Sequence, residues 1–234
     1  MSATRLGILC GLQSEFDALR LWPHDRRVRV AVSGARPNLA EDGARWLIDE
    51  GCTILLSFGL AGGLDPALQP GEPVRATHLR GPDGTVWALG EIPRLMEAVP
   101  TDATLLQGSE TMVLSAAEKA ALHSTSGAVA VDMESHRAAL VAAEAGLPLH
   151  ALRVVGDPAE QSLPAYVSQA VTETGHPRIG AALWGLARAP WTLPDLLRLK
   201  RDTDAGLKRL EGLVKNGALA ALLPGEKGLP DGGC

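Results

Sequence analysis

The sequence predicts an α/β fold of three layers, in which helices cover both faces of a mixed central sheet. Short apolar runs ending at glycine alternate with helical segments over residues 6–157, a pattern typical of sheets that are buried on both faces. A Gly-Pro-Asp-Gly turn at residues 81–84 separates two β-favouring runs and indicates an antiparallel excursion. With 234 residues and 46% hydrophobic content, the chain can bury the core that such a sheet needs.

The first half of the chain is predicted to contain three strands and two helices. The strands are the apolar runs at residues 6–10, 28–32 and 54–58. Ser14 is expected to cap a short helix over residues 14–19, and Pro37 to open a helix that ends near Glu50. The predicted packed face of that second helix consists of Leu39, Gly43, Trp46 and Leu47.

The second half continues the alternation beyond the predicted hairpin. Further strands are predicted at residues 74–79, 86–89, 104–107, 112–114, 128–131 and 149–155. Ser115, with Glu118 three residues later, has the spacing of a capping box and should start a helix. The helix that follows Glu134 is expected to stop at Gly146, which precedes Leu-Pro.

Composition excludes several classes of function. A net charge of −5 and an aromatic content of 3% argue against nucleic-acid binding. Cys10, Cys52 and Cys234 are far apart and lack the spacing of a zinc site or a disulfide framework. The early apolar run is too short for a signal peptide or a membrane span. We therefore expect a cytoplasmic protein without a metal or other cofactor.

Acidic and glycine-rich segments follow the predicted strands. They are Glu15, residues 33–36, residues 59–63, residues 132–134 and Asp157. Ligands of α/β proteins bind at this edge of the sheet, and carboxyl groups around a pocket suit cleavage of a glycosidic bond. Each residue alone has a structural alternative: Glu15 as a first-turn acid, Asp157 as a turn residue, Met133 as core and the glycines as a chain reversal.

Four motifs carry a family resemblance. They are G-L-Q-S-E at residues 11–15, G-L-A-G-G-L at 59–64, V-D-M-E-S at 131–135 and R-V-V-G-D at 153–157. In this order they resemble the purine nucleoside phosphorylase and methylthioadenosine/adenosylhomocysteine nucleosidase superfamily. The resemblance implies the α/β/α phosphorylase/hydrolase-like fold and cleavage of a purine nucleoside at its N-glycosidic bond.

The same resemblance implies roles for individual residues. Asp157 would donate a proton to the purine at N7, and Glu15 would position the attacking water. Met133 and Glu134 would hold the ribose. Apart from the resemblance, Arg153 lies within a predicted strand and is expected to pair with a carboxylate in a structural or supporting role. The full set of implied substrate-binding residues is Ala61, Gly62, Met112, Val113, Asp132, Met133 and Glu134.

Departures from the family pattern point to an unusual substrate. Leu60 stands where the family has a small hydroxyl residue, Gly156 replaces a serine and Asp132 shortens a glutamate. The short segment between residues 74 and 104 implies an open pocket for a large 5′ group. S-G-A-R-P at 33–37 and L-L-R-L-x-x-D-T at 196–203 resemble the hopanoid-associated phosphorylases, which implies release of adenine from adenosylhopane in hopanoid biosynthesis.

The nucleophile and the substrate stay open at this point. Ser33 and Arg36 are candidate phosphate ligands, which would make phosphate a co-substrate, but Glu15 would repel a phosphate dianion beside it. One alternative is a nucleosidase for methylthioadenosine or adenosylhomocysteine. Another is a non-catalytic nucleoside sensor. The family also implies a homo-oligomer in which a neighbouring subunit completes the pocket.

The C-terminal segment differs from the rest in charge. We assign residues 1–175 to the catalytic domain, 176–224 to a helical extension and 225–234 to a disordered tail. Eight Lys/Arg and four Asp/Glu give the segment from residue 178 to 215 a charge of +4. A helix is predicted from Thr192 to Asn216. Its apolar face consists of Leu196, Leu199, Thr203, Leu207, Leu210 and Val214.

Two interpretations of this extension are open. The apolar face could pack on the catalytic domain or on a second subunit. The cationic segment could instead lie on the anionic inner face of a membrane. The residues that favour the second interpretation are Ile179, Leu183, Trp184, Leu186, Trp191 and Leu193.

Overall fold

Nine strands form one mixed sheet in the computed structural model, which describes residues 4–22, 25–92, 104–169, 172, 174–176 and 178–223. The strands are β1 (Leu6–Cys10), β2 (Val28–Val32), β3 (Ile54–Gly63), β4 (Pro73–Val74), β5 (Ala76–Arg80), β6 (Val86–Ala88), β7 (Thr104–Gly108), β8 (Ala130–Asp132) and β9 (Leu149–Asp157). The helices are α1 (Gln13–Ala18), α2 (Pro37–Asp49), α3 (Ala116–Ser126), α4 (Ser135–Ala145), α5 (Ile179–Arg188) and α6 (Leu193–Lys215). Short 3₁₀ turns cover Leu19–Leu21, Ala165–Gln169, Pro190–Thr192 and Ala220–Leu222.

The sheet combines parallel and antiparallel pairs. Its strand order is β2-β1-β3-β8-β7-β5-β6, and β9 pairs with both β3 and β4. β1 runs parallel to β2 and β3, whereas β8 is antiparallel to β3. Apolar side chains of α2 and α4 pack on one face of the sheet, and those of α1 and α6 on the other. The predicted three-layer α/β fold with a mixed central sheet is confirmed.

β3 is longer than the sequence suggested. The predicted end at residue 58 is wrong: the strand continues through the glycine run to Gly63, so the glycines do not form the chain reversal that was their structural alternative. A register shift against β9 lies between Ala61 and Gly62, and the last two residues pair with β8. Glycine tolerates the bent backbone here because it has no Cβ. At Gly63 a Cβ would lie 3.1 Å from the carbonyl oxygen of Asp157.

Several other elements lie where they were predicted. The hairpin of β5 and β6 surrounds residues 81–84. Ser115 and Glu118 form the expected capping box at the start of α3. Gly146 ends α4 with a left-handed φ of 65°, a conformation that glycine adopts without strain.

Three local predictions are wrong. Ser14 does not cap α1, because the N-cap position is Leu12, whose N–H donates to the Glu15 carboxylate. Residues 112–114 form no strand. Trp46 is 44% exposed, and the buried residues of α2 are Ala40, Ala44 and Leu47. The wide aromatic ring of Trp46 therefore lies off the packed face of α2.

α6 packs directly on the sheet. It buries Leu210, Leu213 and Val214, and a Cβ at Gly206 would lie 2.7 Å from Leu60 and 3.1 Å from the backbone oxygen of Val155. The interpretation that its apolar face packs on the catalytic domain is therefore confirmed for this part of the helix. The division at residue 175 stays a prediction, and residues 225–234 lie outside the described part of the chain.

No helix among the described residues is long and apolar enough to cross a lipid bilayer.

Candidate active site

Glu15 is held at the carboxyl end of β1 by three backbone donors. Its Oε2 accepts from the N–H groups of Gly11 and Leu12 at 2.8 and 2.9 Å, and its Oε1 accepts from that of Leu60 at 2.8 Å. The carboxylate fills the space beside Gly59, where a Cβ would lie 2.4 Å from its Cδ. A carboxylate has about four acceptor positions, so one on Oε1 stays available to a ligand.

Arg153 lies at the centre of a buried cluster of acids. Its side chain is completely buried, with Nε 2.8 Å from Asp132 Oδ2 and Nη2 3.2 Å from Glu134 Oε2. Nη2 also donates to Ser57 Oγ at 2.6 Å, and Ser135 Oγ donates to the same hydroxyl at 2.9 Å. The sequence-based expectation that Arg153 pairs with a carboxylate is confirmed.

The cluster holds more acid than base. Burial raises the pKa of Glu134 to about 8; Arg153 partly offsets the rise, and Asp132 and Glu15 add to it. Burial also raises the pKa of Glu15, again against the effect of Arg153. Three carboxyl groups around one guanidinium cannot all ionise cheaply in a buried site. Glu134 is thus protonated in part of the molecules near neutral pH.

Asp157 ends β9 and has a different partner. Its Oδ2 accepts from Nζ of Lys119, a fully buried lysine on α3. Burial raises the pKa of Asp157, Lys119 lowers it and Asp202 of α6 raises it. The carboxyl lies near the end of β3, since a Cβ at Gly62 would be 3.6 Å from both of its oxygens.

These acids line one apolar cavity of about 240 Å³. Every substrate-binding residue suggested by the sequence lies on its wall: Ala61, Gly62, Met112, Val113, Asp132, Met133 and Glu134. Glu15 and Asp157 line it as well. The structure therefore brings Glu15 of α1 together with residues at the ends of β3, β8 and β9, although their individual roles stay predictions.

The candidate phosphate ligands lie elsewhere. The Ser33 hydroxyl is buried and donates to the backbone oxygen of Cys10 at 3.3 Å. Arg36 lines a second cavity, of about 520 Å³, together with Glu110 and Arg178. The two cavities share Ala35, Thr111, Met112 and Met133 as wall. Phosphate binding by Ser33 and Arg36 stays a prediction.

Sequence reasoning missed two residues of the pocket wall and the lysine that contacts Asp157. Leu163 and Val167 line the cavity from the C-terminal side, and none of the motifs includes them. Leu199 and Thr203 line it too; the motif at residues 196–203 contains both, but the sequence assigned neither to the pocket. Lys119 had one signal, because its spacing of three residues from Leu122 places it on the inward face of α3. Within the described residues, no His, Cys, Asp and Glu side chains are grouped as metal ligands.

Comparisons with known proteins agree with this fold. The family profile described as the Phosphorylase superfamily matches residues 14–176, more than half of the chain. Among solved structures, futalosine hydrolase of Helicobacter pylori superposes with a TM-score of 0.66 at 17% identity, covering 94% of this chain and 97% of its own.

Two further structures are similar. A 5′-methylthioadenosine/S-adenosylhomocysteine nucleosidase of Helicobacter pylori gives a TM-score of 0.64 at 17% identity, covering 92% of this chain and 100% of its own. The nucleosidase of Neisseria meningitidis, in complex with methylthio-immucillin-A, gives 0.63 at 18%, covering 91% and 99%. No curated protein matches the sequence.

Proposed function

The chain belongs to the phosphorylase superfamily and is an enzyme that cleaves N-glycosyl bonds, and we propose that it releases adenine from an adenine nucleoside. The observation that carries this proposal is the placement of two buried acids along β3. Glu15 contacts this strand at Gly59 and Asp157 at Gly62. Three residues of strand span roughly 10 Å, a separation that suits a purine at one acid and the anomeric carbon near the other.

The reaction needs one proton donor and one nucleophile. The Asp157 carboxyl gives its proton to a ring nitrogen of adenine, the bond from C1′ to the base breaks, and its electron pair stays on adenine. An oxygen nucleophile forms the new bond to C1′. Burial, which raises the pKa of Asp157, supports the protonated form that a general acid needs.

Water is the nucleophile that the site favours. The proton of the water would pass to the open acceptor position on Oε1 of Glu15. Burial raises the pKa of Glu15, which favours its accepting that proton. Phosphate is the alternative co-substrate, and Ser33 and Arg36 its candidate ligands. A phosphate dianion beside Glu15 would be repelled, so we assign hydrolysis first.

The 5′ group of the substrate is proposed to be large and apolar, as in adenosylhopane. Support comes from the side of the cavity formed by Val167, Leu199 and Thr203, which is apolar apart from one hydroxyl. A compact alternative is methylthioadenosine or adenosylhomocysteine, the substrates named for the similar nucleosidases. A nucleoside sensor without turnover is the alternative from another class.

A lipid-tailed substrate would require the enzyme to contact a membrane. We assign that contact to α5 and the start of α6, with the turn between them. The exposed side chains there are Trp184, Trp191, Leu193 and Leu197. Arg188 stacks on Trp184 at 4.3 Å, so cations and aromatic rings share this surface. We also expect a homo-oligomer, as the family resemblance implies.

Adenine release measured on three substrates tests the proposal. Adenosine, methylthioadenosine and a 5′-alkyl adenosine with a long chain are each assayed with and without phosphate. We expect adenine from all three, the fastest turnover per enzyme on the long-chain substrate, and no response to phosphate. Detection of ribose 1-phosphate derivatives would overturn hydrolysis, and absence of adenine from every substrate would overturn the function.

Two substitutions assign the roles. Asp157→Ala should lower adenine release by about 10²- to 10⁴-fold, the usual contribution of a general acid, with little change in substrate binding. Glu15→Gln should remove hydrolysis. Near-normal turnover in a folded Asp157→Ala protein excludes that residue as the acid.

A further inference from the structure

Lys119 is an ionisable side chain that none of the family motifs includes. It lies in the first turns of α3 and is 0% exposed. Lysine is almost never fully buried unless it is paired. Its Nζ contacts Asp157 Oδ2, the backbone oxygen of Pro158 at 2.8 Å and that of Gln161 at 3.0 Å. The three acceptors match the three donors of an ammonium group.

This arrangement fixes one oxygen of the candidate acid. Because Lys119 occupies Oδ2, a proton for the base would be carried by Oδ1. Charge-assisted hydrogen bonds of this kind are stronger than neutral ones and hold their acceptor in place. Asp157 lies on the wall of the cavity whereas Lys119 does not, so the lysine acts on the substrate only through the carboxyl.

We propose that Lys119 is a positioning residue that aims Oδ1 of Asp157 at the departing base and stabilises the carboxylate left after proton transfer. The inference rests on the proposed function, because it assumes that Asp157 is the general acid. In the reaction, the proton moves from Asp157 to the base and Lys119 keeps all its protons. The negative charge that develops on Asp157 forms beside a fixed cation.

The other charged group that faces Asp157 acts in the opposite direction. Asp202 of α6 raises the pKa of Asp157, whereas Lys119 lowers it. Asp202 has its own partners, with Arg201 Nη2 at 3.0 Å and Arg198 Nε at 3.7 Å. Removing the charge of Lys119 should therefore move the pKa of Asp157 upward, which makes it a weaker acid.

A structural role alone would give a different result. Lys119 also ties α3 to the segment that follows β9 through two backbone oxygens, and losing those contacts could distort the pocket. Distortion would slow every substrate to a similar extent. Loss of support for the acid would slow only substrates whose leaving group needs a proton.

The test compares two ribosides in Lys119→Met and Lys119→Gln. Adenosine has a leaving group that requires protonation, whereas 4-nitrophenyl β-D-riboside releases a stable phenolate without it. We expect both variants to lose about 10²-fold or more on adenosine and less than about tenfold on the nitrophenyl riboside. The basic limb of the pH profile for adenosine should shift to higher pH.

Lys208→Met, at an exposed position of α6, is the matched control and should equal the wild type. Equal losses on both ribosides, or an unmoved basic limb, would overturn the inference. The glutamine variant keeps a hydrogen-bond donor and provides the answer if the methionine variant does not fold. All rates are taken relative to wild type on the same substrate. If the wild-type enzyme releases a purine other than adenine, the proposed substrate is refuted. The Lys119 variants are then compared on the nucleoside of that purine, and the same outcomes decide the inference.

Discussion

Three carboxyl groups share the buried guanidinium of Arg153, and this imbalance has a cost in stability. Glu15, Asp132 and Glu134 all lie within the cluster, and the last has a pKa of about 8. The ordinary pKa of a glutamate is near 4.5, so the unfolded chain releases the proton of Glu134 above that pH. The folded protein keeps the proton up to its raised pKa. Stability therefore falls as pH rises from the ordinary value through the folded pKa.

The first prediction concerns this pH dependence. Burial lowers the pKa of His150, so this residue changes stability with pH only below its unfolded pKa of about 6.5. Burial raises the pKa of the Cys10 thiol, so this group changes stability only above its unfolded pKa of about 8.5. Between about pH 7 and about pH 8 the slope belongs to the carboxyl groups. We expect the melting temperature of the ligand-free protein to fall across this interval, measured by calorimetry.

Glu134→Gln supplies the control because glutamine resembles the protonated acid and cannot ionise. Its melting temperature should fall less across the same interval, while Glu15 and Asp157, whose pKa burial also raises, retain part of the slope. An identical slope in the variant would exclude Glu134 as the source.

At this scale, the sequence identified the acids and Arg153 but missed the hydroxyl groups and the lysine that hold them. Acidic residues that directly follow apolar strands are visible as a pattern, and the resemblance ordered them. Ser57 and Ser135 contact each other and accept from Arg153, and Lys119 donates to Asp157, although these partners lie far apart in the chain. Only the folded sheet brings such pairs together, so no local spacing could predict them.

β3 is the element that places both candidate catalytic acids. Its glycines leave room for side chains from other strands: at Gly59 a Cβ would lie 2.4 Å from the Glu15 Cδ, and φ is 153°. Neither the carboxylate, held by three N–H groups, nor the strand, paired on both sides, can move cheaply. The conformation and the space both require glycine.

The second prediction is that Gly59→Ala displaces Glu15 and destabilises the protein by about 1–3 kcal/mol through backbone strain. Adenine release should fall to the level of Glu15→Gln. Gly212→Ala is the control, because nothing lies within 4 Å of a Cβ at that helical position, and alanine there should stabilise by about 0.5–1 kcal/mol. Denaturant unfolding and turnover measure both. Unchanged stability and activity in Gly59→Ala would contradict the steric argument.

Element boundaries were predictable where capping chemistry fixed them. Ser115 with Glu118, Pro37 and Gly146 each have a local physical role, and the helices begin or end there. Ser14 was the wrong cap because the helix begins one residue earlier, at Gln13, which makes Leu12 the N-cap and places Ser14 inside the first turn. The end of β3 was predicted too early because the glycine run is kept extended by pairing with β8 and β9. That pairing involves strands far away in the chain, so the local sequence does not show it.

At the scale of the whole molecule, α6 joins the pocket to an exposed surface. Leu199 and Thr203 line the cavity, Leu210 and Leu213 are buried against the sheet, and Leu197 is exposed. Deleting the C-terminal extension would therefore damage the pocket as well as the surface. Point substitutions on the exposed face separate the two effects.

The side chains of Ile179 and Leu183, which the sequence also assigned to this surface, lie outside the described part of the structure.

The last prediction concerns this surface and a membrane. Trp184 and Trp191 are 61% and 74% exposed and lie within the segment of charge +4 at residues 178–215, which fits an interface with anionic lipid. The full chain should co-sediment with vesicles containing phosphatidylglycerol and not with pure phosphatidylcholine, and binding should weaken as salt rises because the attraction is screened.

Trp184→Ser combined with Trp191→Ser should lower vesicle binding and turnover of a long-chain 5′-alkyl adenosine presented in vesicles, and leave turnover of adenosine unchanged. Trp46→Ser is the matched control, since Trp46 is also exposed, at 44%, but lies on α2 in a segment without the cationic excess. No vesicle binding at low salt, or equal losses on both substrates, would refute membrane contact. If the double variant instead changes the oligomeric state in sedimentation, a second copy of the chain covers this surface. That result would move Trp184 and Trp191 from a lipid interface to a subunit interface, because the same exposed rings cannot serve both at once.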